Sequence, residues 1–170
     1  MPDYNQNNVI IGVGKLSVDG VSVGYTSGGV TLIASSDRMD KEVDQSYAPI
    51  GIHKIRETYQ IRTMLAEATL DNLKTVWEQT EAVVESSPTR TLSWGMNPAV
   101  IEHTLEFVGK SPEGYERTFS VLKAVVWEVG EIMHSKDALT TIPVTFRILP
   151  DTAQAAGKEY GYIVDQMVAP

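Results

Sequence analysis

Residues 52–65 alternate between apolar and polar side chains, a pattern that restricts this segment to a β-strand more firmly than any other part of the chain. The odd positions are mostly apolar and include Ile55, Tyr59, Ile61 and Leu65. The even positions carry the polar side chains Lys54, Arg56, Thr58, Gln60 and Arg62. Because successive side chains of a strand point to opposite faces, the pattern predicts a long strand in a sheet with one wet face.

Other segments also carry strand and turn signals. Asp19-Gly20 separates two short strand-like segments, KLSV and VSVGYT. An Asp-Gly pair favours the type I′ turn of a β-hairpin. Further strands are predicted at residues 9–18, 30–34, 89–94, 101–108, 115–129 and 139–149, with a last short one at 160–164.

Helical periodicity occurs in one place, where Leu70, Leu73, Val76 and Trp77 share a face behind the suitable N-cap Thr69. The expected fold is therefore mainly β: a β sandwich or barrel of two packed antiparallel sheets, with one flanking α-helix at about residues 69–79. We expect Trp77 and Trp127 to anchor the core, whereas Trp94 fits a core or an interface.

Composition limits the class of protein. A chain of 170 residues fits one domain. We expect that domain to span residues 1–170, with a mobile N-terminal arm (1–8), a long loop (35–51) and a C-terminal arm (about 151–170).

The net charge of −8 argues against a protein that binds nucleic acid. The start MPDYNQNN lacks the features of a signal peptide, and no apolar run is long enough for a membrane span, so we expect a soluble protein made in a cytoplasm.

No motif supports catalysis. Gly12–Ser17 lacks the spacing and the following helix of a phosphate-binding loop. Ser120 and Lys123 match S-x-x-K, but in a strand their side chains fall on opposite faces. The chain has no cysteine, and its three histidines lack metal-ligand spacing. We therefore predict no catalytic, metal or cofactor-binding residues and a protein that is not an enzyme.

Two polar surfaces are candidate interaction sites. The segment 35–51 is charged and has few apolar anchors, which predicts a mobile loop whose charges find partners on a neighbouring subunit. Its candidate residues are Asp37, Arg38, Asp40, Lys41, Glu42, Asp44 and Gln45. The second surface is the polar strand face of Lys54, Arg56, Thr58, Gln60 and Arg62. It is either a solvated face or a partner surface that meets an acidic face with Glu102 and Glu106.

The order of motifs resembles the tail tube proteins of long-tailed bacteriophages. The resemblance covers the span of about 65 residues from Gly12 to Trp77, and the matching segments within it are GKLSVDGVSVGYTSGGVTL, KEVDQSYAPIG and MLAEATLDNLKTVW. Ser17 departs from the aromatic residue often found in the first strand of that family. The resemblance also extends to the inner-tube proteins of contractile injection systems.

This resemblance implies a homohexameric ring that stacks into a hollow tube in the virion, with loop 35–51 reaching the adjacent subunit or ring. Double-stranded DNA would pass through the lumen during ejection without specific binding, and either face of the strand that contains Lys54 and Arg62 could line it. Implied partners are copies of the chain, a tape-measure protein, tail-terminator and tail-tip proteins, and a sheath protein if the tail contracts. Assembly would take place in the bacterial host cytoplasm, with no membrane involved. The alternatives are a tailocin or injection-system tube and a β-sandwich module that binds carbohydrate or lipid.

Overall fold

The computed structural model describes residues 14–167, which form ten β-strands and one α-helix. The predicted N-terminal arm (1–8) lies outside this range. The strands are β1 (Lys15–Val18), β2 (Val21–Ser22), β3 (Thr26–Lys41), β4 (Gly51–Leu65), β5 (Val84–Ser86), β6 (Thr89–Thr91), β7 (Glu102–Lys110), β8 (Glu116–Val129), β9 (Ile142–Ile148) and β10 (Gly161–Asp165). The helix α1 spans Leu70–Val76.

The predicted fold class is confirmed: residues 14–167 are mainly β, pair their strands antiparallel and include one helix. The larger sheet has eight strands in the order β2-β1-β7-β8-β9-β4-β3, with β10 also paired to β8. The smaller sheet is the β5–β6 hairpin. Val18 near one edge of the large sheet and Val30 near the other pack in the same core cluster. The sheet therefore curves back on itself like a partly open barrel.

The β1–β2 hairpin turns at Asp19-Gly20, as predicted. Asp19 has φ of 52° and Gly20 has φ of 78°, the two positive values that a type I′ turn requires. Val18 and Val21 are therefore register partners. This hairpin forms one end of the large sheet.

The core lies on the concave face of the large sheet and is closed at one end by α1. Phe146, Leu16, Leu65 and Leu105 are the largest of its fully buried side chains. The predicted N-cap is confirmed, since the Thr69 hydroxyl accepts a hydrogen bond from the Asn72 N–H. The buried Asn72 amide donates to the carbonyl oxygens of Val23 (2.9 Å) and Glu67 (2.8 Å). These bonds attach the helix to the segments that follow β2 and β4.

The expected loop at residues 35–51 is wrong for about half of its length. β3 continues through the charged residues to Lys41, and β4 begins at Gly51. Only residues 42–50 connect the two strands. Pairing with β4 supplies the backbone hydrogen bonds that allow a polar segment to remain extended.

Several smaller expectations also need correction. Trp127 is 56% exposed and packs under the Arg147 guanidinium instead of in the core. The strand expected at 89–94 ends at Thr91. The expected C-terminal arm contains β10, which pairs with β8 within the large sheet, in agreement with the short strand predicted at 160–164. No helix within residues 14–167 is long and apolar enough to cross a membrane.

Candidate functional site

A two-stranded arm, defined here as residues 35–58, projects beyond the rest of the large sheet. The pairing of β4 with β9 stops at Tyr59. Beyond that point, within the described residues, β3 and β4 pair only with each other, over seven register pairs from Ser35–Thr58 to Lys41–Gly51. At about 3.3 Å per residue, this ribbon is roughly 23 Å long before the connecting loop.

The arm exposes several large apolar side chains to solvent. They are Met39, Val43, Tyr47, Ile50, Ile52 and Ile55. Ile52 is 64% exposed and Ile55 is 59% exposed, although both lie within a strand. Clustered exposed apolar side chains on a soluble protein mark surfaces that bind partners. The arm therefore has the composition of an interface.

The candidate residues of segment 35–51 all lie on the arm and are all exposed. Four of them are in β3, namely Asp37, Arg38, Asp40 and Lys41, and three are in the connection, namely Glu42, Asp44 and Gln45. Within residues 14–167, none of the charged ones forms an ion pair. Even Asp37 and Arg56, which are register partners, do not. These charges are consequently available to a neighbouring molecule.

A β-bulge divides the polar face predicted for β4. The register passes from Asp37–Arg56 to Arg38–Lys54, so Ile55 is an extra residue in β4. Lys54 therefore shares a face with Glu57, and their side chains form an ion pair of 2.7 Å. Arg56, Thr58, Gln60 and Arg62 remain together on the opposite face, as expected. The prediction that Lys54 belongs to that face is wrong.

Glu57 is held by a second contact, because the Tyr59 hydroxyl donates to it at 2.7 Å. Hydrogen bonds from Lys54 and Tyr59 lower the pKa of the Glu57 carboxyl. The same contact to Glu57 raises the pKa of Tyr59. These contacts lie at the base of the arm, where β4 leaves the core.

The two acidic candidates lie on the outer face of β7, away from the core. Glu102 already forms an ion pair with Lys123 of the neighbouring strand (2.9 Å). Glu106 makes no ion pair among the described residues. Strands β8 and β9 separate both residues from the basic face of β4. The structure therefore does not bring the predicted basic and acidic surfaces together within one subunit.

An apolar groove opens at the end of the core opposite α1. It has a volume of about 500 Å³, and its lining includes Leu32, Tyr59, Phe107, Phe119 and Ile163. Leu32 is 50% exposed and Ile163 is 61% exposed. The sequence indicated that these residues are apolar, but only the curvature of the sheet brings β3, β8 and β10 around one space. This groove, like the exposed isoleucines of the arm, was not predicted.

One histidine has a carboxylate neighbour. The Nδ1 of the buried His103 contacts Asp19 Oδ2 at 2.7 Å, and the Thr104 N–H donates to Asp19 Oδ1 at 2.8 Å. His103 Nε2 has no hydrogen-bond partner among the described residues. A catalytic triad would place a nucleophile at that nitrogen, so we interpret the pair as a structural link between the β1–β2 turn and β7.

This link predicts a pH-dependent contribution to stability. Burial of the Asp19 carboxyl raises its pKa, but the hydrogen bonds from His103 and Thr104 outweigh that effect, and the pKa is lowered overall. A lowered folded-state pKa stabilises the protein above about pH 4 and ceases to do so as the pH falls through the folded value. Wild type should therefore be more stable than Asp19→Asn, which keeps the turn, at pH 6 but not near pH 2. Urea denaturation across that pH range measures the difference in the free energy of unfolding between the two proteins. A difference that does not change with pH would contradict the prediction.

The chain matches no protein-family model, and no curated protein is significantly similar to it in sequence. Its function is therefore inferred from the residues and the geometry described above.

Proposed function

We propose that the chain is a structural subunit of a phage tail tube, or of the related tube of a tailocin or injection system, and not an enzyme. The observation that carries the proposal is the arm of residues 35–58. Its strands bear unpaired edges and exposed apolar side chains at a distance from the core. An isolated two-stranded ribbon is only marginally stable in water. A neighbouring subunit that pairs with or packs on the arm would satisfy both its edges and its apolar side chains.

Ring formation follows from the geometry of such a contact. We propose that the arm binds a different surface of the next subunit without a reciprocal exchange, which makes the contact heterologous. Heterologous contacts generate a closed ring when the rotation between subunits closes, and an open filament when it does not. We propose a homohexamer that stacks through the unpaired arm charges, such as Asp40 and Asp44. Tape-measure, terminator, tail-tip and, in a contractile tail, sheath proteins would bind the finished tube in the virion.

Charge is consistent with a conduit for DNA. The chain carries a net charge of −8, and basic side chains that neutralise phosphates would hold DNA in place instead of letting it pass. Arg56 and Arg62 form no ion pair within residues 14–167. They therefore fit better against acidic groups of a neighbouring subunit than in a lumen. Acidic residues that receive them would have to come from a surface other than Glu102, which already has a partner.

A ligand-binding module is the second candidate, and the groove at the open end of the core favours it. A space of about 500 Å³ lined by apolar side chains is of the size that small ligands occupy. Such a protein would bind a lipid or another apolar ligand as a monomer. It would leave the exposed apolar side chains of the arm unexplained.

Electron microscopy of the purified protein in negative stain, over a range of concentrations, distinguishes the two candidates. We expect rings or hollow tubes of uniform diameter, with light scattering in solution showing a mass near six subunits or a multiple of it. A chain that stays monomeric at high concentration, with and without a tail-tip initiator complex, would rule out the tube.

A further inference from the structure

The groove at the open end of the core is an apolar concave surface that the described residues leave open. Its volume is about 500 Å³, and none of the described residues that line it carries a charge. Ile163 of β10 is part of the lining and is 61% exposed. A concave apolar surface of this size on a protein marks a binding site.

The wall of the groove formed by β10 also has a free backbone edge. Among the described residues, β10 pairs only with β8. The Leu122 N–H donates to the Tyr160 carbonyl oxygen at 3.2 Å, and the even-numbered residues that follow Tyr160 likewise direct their backbone groups toward β8. The backbone groups of Ile163 therefore face away from β8. An apolar strand edge of this kind pairs readily with another strand.

The tip of the arm, defined here as residues 46–52, has the chemistry that this site requires. Its sequence is SYAPIGI, which contains no charged side chain. Ile50 is 62% exposed and Ile52 is 64% exposed. Residues 51–58 of β4 pair with β3 and with no other described strand. The tip therefore offers an uncharged apolar surface beside a free strand edge, as β10 does.

The arm is too long to fill the groove of its own subunit. Its base lies at the groove, because Leu32 and Tyr59 are part of the lining. Gly51 at the start of β4 lies roughly 26 Å from Tyr59, at about 3.3 Å per residue of strand. The two strands of the arm stay paired over this distance, so the tip could fold back only by breaking that pairing. The groove and the tip are thus matched between molecules and not within one.

Residues 94–101 are another exposed segment without charge, but they lie against α1. Trp94 stacks on Trp77 with 5.0 Å between the ring centroids. The Gly95 N–H donates to the Gln79 side chain at 2.9 Å. Because these contacts hold the segment against the subunit, it does not project far enough to enter a groove on another molecule.

We propose that the groove receives the arm tip of a second copy of the chain. Ile50 and Ile52 of the tip pack against Ile163, and the free edges of β4 and β10 lie side by side. This inference rests on the proposed assembly function and names the surface that receives the arm. Each copy inserts its tip into one neighbour and receives the tip of another, so the contact has a direction.

Mixtures of single-cysteine variants test the contact. The sequence contains no cysteine, so every disulfide in such a mixture joins two chains. Ile52→Cys mixed with Ile163→Cys should form the mixed disulfide at least tenfold faster than Ile52→Cys mixed with Val164→Cys, because a formed contact raises the effective concentration of the two thiols. Val164 is the matched control, since it adjoins Ile163 but lies on the opposite face of β10. Peptide mass spectrometry identifies the product, and equal rates in the two mixtures would overturn the proposal.

A second pair of variants blocks the two sides of the contact separately. Ile52→Asp and Ile163→Asp should each fold, because both side chains are exposed, and each should be monomeric in light scattering. Mixed in equal amounts, they retain one intact tip and one intact groove, so we expect a dimer of one copy of each and nothing larger. Val164→Asp, the control, should assemble as the wild type does. A mixture that stays monomeric, or a control that also fails to assemble, would contradict the proposal.

The outcomes distinguish this contact from the proposed function. Rings or tubes formed by Ile163→Asp would exclude the groove as the receiving surface and leave the tube proposal standing. The mixed disulfide at the expected rate, in a wild-type protein that forms only dimers or irregular chains, would support the contact and contradict the tube.

Discussion

Replacing residues 36–57 with an Asn-Gly dipeptide will abolish assembly while leaving the subunit folded. Ser35 and Thr58 are register partners, so a two-residue type I′ turn can join them without strain. No residue of the deleted segment belongs to the buried core. We expect the free energy of unfolding to change by less than about 1 kcal/mol and electron microscopy to show no rings or tubes at any concentration.

A matched control is provided by the other exposed hairpin. Ser86 and Thr89 are register partners in β5–β6, and the same Asn-Gly dipeptide can replace the two residues between them. This variant should still form tubes. If the armless chain also assembles, the arm is not the interface. If the armless chain fails to fold, the arm contributes to the core in a way that its exposure does not indicate.

Truncating Phe146 to alanine will destabilise the subunit strongly, because it removes the largest fully buried side chain of the core. This side chain is 1% exposed, on a strand that lies between β4 and β8. Removing a buried phenylalanine ring costs about 3–5 kcal/mol. For a domain of this size, that corresponds to a decrease in melting temperature of roughly 6–20 °C.

Ile55→Ala is the control for Phe146→Ala, because it also removes a large apolar side chain, but from the exposed arm. It should change the free energy of unfolding by about 0.5 kcal/mol or less and weaken assembly. Urea denaturation gives both values, with the midpoint shifting at an unchanged slope. Comparable losses in the two variants would mean that Ile55 is packed in solution and that the arm folds back on the subunit.

The elements predicted correctly from the sequence are those whose structure depends on residues close to each other in the chain. The Asp19-Gly20 turn, the Thr69 N-cap and the alternation around Ile61 all follow from preferences that act within a few residues. The buried faces of β4 and β9 follow likewise, since a period of two leaves one apolar face for the core.

Long-range pairing explains what local signals missed. Residues 37–41 are strand only because β4 lies beside them, and charged residues have low intrinsic preference for strands. The bulge at Ile55 reverses the alternation of faces along β4, and no Gly or Pro in the sequence indicates it. The prediction therefore assigned Lys54 to the wrong face. The groove depends on curvature that brings β3 near β10. For the arm, a usable signal was present: turn-forming residues from Asp44 to Pro49 are centred between two segments of similar length.

The pairing of β1 with β7 has a consequence for synthesis of the chain. Residues 15–18 pair with residues 105–108, which are made roughly 90 residues later. At about 5–20 residues per second, β1 leaves the ribosome roughly 5–20 s before its partner exists. The β3–β4 hairpin closes locally and can form during that interval, so the chain displays its apolar arm before it has a core. In a cell that makes many copies at once, premature contacts between nascent arms would compete with folding, and a chaperone that shields residues 35–58 would increase the yield of subunits.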